Sequence, residues 1–208
     1  MPDKPSISAP GSFPYSELSR SEERDILTKA RIAQYILSRD AWFHTANELI
    51  AAMKMLEPHI ESYWKSANAR FLGQNSKPEP EHSLINVHMM LAGFAIENLC
   101  KGYLAGRLSP KEREAVKAGT LPKSLRTHDI LKLIEATEMT LSETEKYLVE
   151  QIYQATIWRG RYPSPTSHED IRPFVQVGSG IRRIRTVLRR LREHVGAKDS
   201  YRNPSVSE

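Results

Sequence analysis

Apolar residues recur along this chain at intervals of three and four, the spacing of helices that each turn one face to a core. From residue 42 the positions Trp42, Ala46, Leu49, Met53, Leu56, Ile60 and Tyr63 keep that rhythm. One long amphipathic helix is expected there, kinked or restarted at Pro58, whose ring removes a helix hydrogen bond. Ahead of it, Ser19 and Glu22 have capping-box spacing and introduce a helix with Ile26, Ala30, Ala33 and Leu37 on one side. After a loop at 73–80, a helix over about 81–107 breaks the amphipathic pattern. Residues 87–96 are apolar on all sides apart from His88, which predicts a place at the centre of the fold. Ala92, Ala95, Leu99, Gly102 and Gly106 share one narrow stripe of that helix, where small side chains let a neighbouring helix come close.

Shorter helices follow. Ser109-Pro110-Lys111-Glu112 reads as N-cap, N1 proline and capping glutamate, opening a helix that ends at Gly119. Thr127 is expected to cap a helix over about 128–138, and Ser142 with Glu145 to start one that runs to Trp158 and stops at Gly160. A last helix is predicted over 177–195. No stretch alternates as a strand would, and no repeat is visible, so the fold class is all-α. The organisation expected is a disordered Pro- and Ser-rich tail at 1–18, a single helical domain at 19–195, and a disordered polar tail at 196–208.

Composition narrows the class. The chain has 208 residues, 39% hydrophobic and 26% charged, which is the balance of a globular domain with a core. It has no apolar run long enough to span a membrane and no secretory-signal pattern at its start. The single cysteine, Cys100, excludes an internal disulfide and suits a reducing cytoplasm, the expected location. The scattered histidines give no metal-ligand spacing, so neither metal nor cofactor is expected. The net charge of +5 is concentrated between residues 170 and 193, where seven arginines face two acids. In the last helix, Ile181, Ile184, Val187, Leu188 and Leu191 form one face. Arginines 182, 183, 185, 189, 190 and 192 cover the other. That face is either a solvated surface, a site for RNA or DNA phosphates (Arg182, Arg185, Arg189, Arg192), or a contact for an anionic protein. The helix carries no Trp or Phe, which speaks against membrane insertion.

Two further places carry candidate chemistry. Glu97 lies within the apolar central helix and needs a cationic partner. Lys101 one turn on is one choice, and Arg159 or Arg161 from outside the helix are others. His128 reads as a capping or packing residue. The stretch WRGRYPSPTSHED, beginning at Trp158, ends a helix with two arginines, two prolines and a histidine.

Three patterns in order, AIENLCKGYL (95–104), THDILKL (127–133) and RYP (161–163), resemble the HEPN domain family. The resemblance spans about residues 40–195. It implies an antiparallel helical bundle with two long core helices and short connecting helices, which usually forms a homodimer. Many such domains are metal-independent endoribonucleases of toxin or phage-defence systems, some with a cognate antitoxin or nucleotidyltransferase protein. Their arginine holds the phosphate, and a histidine separated from it by four to six residues handles protons. Arg161 and His168 fit that spacing late in the domain, with Glu97, Lys101 and Arg159 in support. Arg39/His44 and Arg189/His194 also fit the spacing. The alternative expectation is a catalytically inactive HEPN-like module that binds a partner protein, a nucleotide or nucleic acid.

Overall fold

The computed structural model describes residues 20–74, 82–159 and 180–198, with the backbone alone for 20–23 and 158–159. Every regular element among them is helical. In chain order these are α1 (Arg20–Leu37), α2 (Arg39–Phe71), α3 (Ile85–Gly106), α4 (Pro110–Lys117), α5 (Lys123–Arg126), α6 (Ile130–Ala136), α7 (Glu143–Gln154), a π-turn (Ala155–Arg159) and α8 (Gly180–Val195). No described helix is long and apolar enough to cross a membrane.

The apolar run on α3 makes it the axis of the molecule. It is touched by α1, α2, α5, α6, α7, the π-turn and α8, and Ala92, Ala95, Ile96, Leu99 and Cys100 are fully buried. The small-residue stripe works as its spacing suggests. A Cβ on Gly102 would lie 2.7 Å from the Phe43 ring, so only glycine lets α2 pack this closely. Gly93, on another side, leaves room for Thr156 of the π-turn.

Paired contacts fix the helix directions. Gly102 meets Phe43, and His88 meets Glu57, so α2 runs antiparallel to α3. Arg185 reaches that same Glu57, while the His194 ring lies beside Tyr103, so α8 runs parallel to α3. Gly93 meets Thr156, and Glu145 meets Arg190, so α7 descends against both. A smaller cluster of Ala33, Ala105, Leu108, Val116 and Leu125 joins α1, α4 and α5 to the lower end of this bundle.

Several local expectations need correction. α2 passes through Pro58 without restarting, and its buried face carries Phe43, Asn47 and Glu57, while Leu49 and Leu56 are only half-buried. Burial of Met53 and Ile60 on either side of the proline offsets its one missing backbone bond. α3 begins at Ile85, after Leu84 in the left-handed region at φ 54°. On α1, Ile26 and Ala30 are exposed, because only the C-terminal half of the helix rests on the smaller cluster.

The cap of α6 is Asp129, whose carboxylate accepts the Lys132 N–H at 3.2 Å. The Thr127 hydroxyl instead accepts the Asp129 N–H at 3.2 Å. Both predicted capping boxes, Ser109/Glu112 and Ser142/Glu145, are complete. On α8 the predicted apolar face is buried from Ile184 to Val195. Past that helix, residues 196–198 lie along the bundle: Ala197 packs on the core, and the Lys198 carbonyl accepts from Asn47 at 3.3 Å. The remainder of the two expected tails lies outside the described residues.

Candidate functional site

The AIENLCKGYL and THDILKL segments come together at one polar cluster. Glu97 lies on the flank of α3 that faces the α5–α6 connection, and its side chain is 10% exposed. Its Oε1 accepts from Lys101 Nζ at 2.8 Å and is 2.9 Å from Nδ1 of His128. Lys101, at i+4 on the same helix, is itself buried, with its ammonium 5.8 Å from the centre of the Trp42 ring. His128 is different: its side chain is 76% exposed. A buried carboxylate with a buried ammonium thus holds one nitrogen of an imidazole that otherwise faces solvent. Cys100, also on α3, is fully buried, and that burial together with the Glu97 charge pushes its thiol far above the usual range. It has no reactive thiolate to offer.

Glu97 therefore takes Lys101 and His128 as partners among the described residues. The Arg159 side chain and the whole of Arg161 lie outside them, as does His168, so the predicted arginine–histidine pair falls where the structure is not described. Of Arg159 the backbone is described, as the last residue of the π-turn.

A second buried cluster lies beyond what the sequence led one to expect. Glu57 of α2 takes a two-pronged contact from Arg185 of α8, Nε to Oε1 at 2.8 Å and a second guanidinium nitrogen to Oε2. His88 Nε2 of α3 lies 3.5 Å from Oε1. His88 is fully buried, and its Nδ1 has no partner among the described residues. Burial raises the Glu57 carboxyl, but the hydrogen bonds and charges of Arg185 and His88 together carry it below the ordinary value. Burial drives the His88 imidazole downward, more strongly than Glu57 draws it up. The signal available in the sequence is a lone polar residue in the apolar run of α3 and a glutamate at a core-facing position of α2.

The arginine face of α8 is divided by these contacts. Arg185 is tied to Glu57, Arg190 bridges to Glu145 at the start of α7, and Arg189 pairs with Glu193 at 3.2 Å. Arg192 is half-buried, whereas Arg182 and Arg183 are exposed. The other two arginine–histidine spacings do not form pairs. Arg39 lies over the Phe43 ring and donates to the Val195 and Gly196 carbonyls at the end of α8, while His44 pairs with Glu48 at 3.4 Å. His194 Nε2 is 2.7 Å from the Thr137 carbonyl, away from Arg189's partner. Among the described residues no three His, Cys, Asp or Glu side chains converge as a metal cage requires. Comparisons with family models, curated proteins and solved structures return no match for this chain.

Proposed function

We propose that this chain is a HEPN-like protein that cleaves RNA without a metal, in the manner of toxin and phage-defence nucleases. The observation that supports this reading is the Glu97–His128 contact. Two motif segments meet through the glutamate of one and the histidine of the other, residues 31 positions apart in the chain. The contact holds one nitrogen of the imidazole on a buried carboxylate and leaves the rest of the ring open to solvent. In this reading Arg161 holds the phosphate and stabilises the charge that develops on it. His168 moves protons between the ribose 2′-hydroxyl and the leaving oxygen. The exposed arginines of α8 guide the RNA backbone, the working unit is a cytoplasmic homodimer, and a cognate antitoxin or nucleotidyltransferase restrains it.

The test is direct. Purified protein should cut single-stranded RNA in EDTA and leave 2′,3′-cyclic phosphate ends. Arg161→Ala and His168→Ala should each abolish cutting with the helical circular dichroism unchanged. A wild-type protein that binds RNA in a gel shift but never cuts it would replace this reading with the inactive binding module. Cutting that survives both substitutions would overturn the assignment of the pair.

A further inference from the structure

Two side chains compete for one buried carboxylate oxygen. Oε1 of Glu57 accepts from Arg185 Nε at 2.8 Å, and Nε2 of His88 stands 3.5 Å from the same atom. The arginine has the better hold. Its guanidinium also reaches Oε2, whereas the imidazole contact is longer than an ordinary hydrogen bond. We propose that this triad is an acid switch. A proton taken up by His88 transfers Glu57 from Arg185 to the imidazolium, and the freed Arg185 joins Arg182 and Arg189 in an RNA-binding stripe on α8. RNA as the ligand rests on the functional reading above; the exchange of partners does not.

Exposure decides which partner leaves. The Glu57 side chain is 5% exposed and His88 is wholly buried, so the core confines both. The Arg185 side chain is 54% exposed and can turn into solvent. A carboxylate only accepts, so neutral His88 turns an Nε2–H toward Glu57 and keeps a lone pair on Nδ1. That Nδ1 has no partner among the described residues. An incoming proton settles there and makes the ring a cation beside Glu57. One buried carboxylate then has two cations against it, a surplus charge in a poorly solvated place. Water can rehydrate the guanidinium but not the imidazolium, so the surplus is relieved when Arg185 lets go. Among the described residues, the charged groups acting on His88 are Glu57 from α2 and Arg185 from α8, and Glu61, one turn along α2, acts on Arg185. Burial, helped by the Arg185 charge and opposed by Glu57, holds the imidazole below its ordinary 6.5. Near neutral pH the arginine is therefore latched.

Arg182, Arg185 and Arg189 stand at i, i+3 and i+7 of α8, which puts them on one stripe, and all three are exposed. Arg189 is paired only with Glu193, at 3.2 Å on the surface, where solvent screens the contact. While Arg185 is latched the stripe has a gap at its centre, because that guanidinium faces an interior carboxylate. Once released, its fork of donors is available to a phosphate lying between the other two arginines.

Two measurements separate the switch from its ligand, and neither depends on cutting. Nitrogen NMR of the free protein from pH 7.5 to 5 should show His88 gaining a proton while the helical circular dichroism persists. The Arg185 Nε–H should leave its hydrogen-bonded shift at the same midpoint. Fluorescence anisotropy with a single-stranded RNA oligonucleotide in about 0.1 M salt should then find binding about five-fold tighter at pH 5 than at pH 7.5, the effect of about one added phosphate contact. His88→Gln cannot take the proton and should lose that gain. Glu57→Gln, which weakens the hold on Arg185 at every pH, should bind more tightly than wild type at pH 7.5 and gain less on acidification. An imidazole that stays neutral until the helices melt, or an Arg185 Nε–H that keeps its shift while His88 titrates, would overturn the switch. So would an acid gain that His88→Gln retains in full. Partner exchange by NMR with RNA affinity unchanged, or with no RNA binding at either pH, would overturn the stripe as an RNA site and leave the exchange standing.

Discussion

Breaking the contact between Glu57 and Arg185 should show that an arginine on the basic face of α8 serves the fold. Arg185→Ala strands a carboxylate that is 5% exposed, with only a His88 nitrogen at 3.5 Å in place of a two-pronged guanidinium. Removing one partner of a fully buried pair costs about 3–5 kcal/mol. Arg185 is 54% exposed, so water screens its half of the interaction and lowers the figure to about 2–3 kcal/mol. Glu57→Gln keeps the shape and one acceptor for Arg185, and should cost about 1–2 kcal/mol. In the double variant no charge is stranded, so its loss should fall short of the sum, with a coupling of about 1–2 kcal/mol. Urea unfolding at pH 7, followed by far-UV circular dichroism, measures all four corners. A coupling below about 0.5 kcal/mol would show that the two groups act independently and would refute the reasoning.

Acid should destabilise the protein in two stages. His88 has its folded value below the ordinary 6.5 because it is buried, so the unfolded chain binds its proton first, and stability declines as pH falls below about 6.5. Glu145, held down to about 2 chiefly by its hydrogen bond from Arg190, adds a loss between pH 4.5 and 2. A thermal midpoint that does not change from pH 7 to 3 would contradict both, and Glu145→Gln should reduce only the lower stage, to which the lowered Glu57 carboxyl also contributes. For RNA binding, Arg182→Gln with Arg189→Gln should weaken affinity for all sequences alike and lower the salt slope by roughly 0.7 for each phosphate no longer neutralised. An unchanged slope would make the face a solvated surface.

The parts of this fold that are legible in the sequence are those where one short-range rule governs. Capping boxes at Ser109 and Ser142 are local hydrogen-bond patterns, and both form. The central place of α3 follows from its apolar run, and the close approach at Gly102 follows from the stripe of small residues. What is not legible depends on partners distant in the chain. The core-facing position of Glu57 between Met53 and Ile60 is legible, but its partner is not, because the arginine that neutralises it stands 128 positions away. His128 reads as a cap because Thr127 and Asp129 compete for that role within two positions, and only the tertiary position of Glu97 shows what its ring faces. Four-residue α5 is too short for a helical period to register in the sequence.

The π-turn at Ala155–Arg159 makes the chain's length at that point as consequential as its composition. A turn closed by i→i+5 bonds holds one residue more than an α-turn. Five residues in a turn closed by i→i+5 bonds wind through about the same angle as four in an α-helix, so deleting one would close the turn to α spacing with the heading of the helix nearly kept. A single-residue substitution in the turn would leave that heading alone. Gly93 keeps the wider turn seated, since a Cβ there would stand 1.9 Å from the Thr156 hydroxyl oxygen. The turn thus holds one residue more than an α-helix would in the same place, and losing that residue would remove the wider seat that brings Thr156 against Gly93 rather than turn the helix aside.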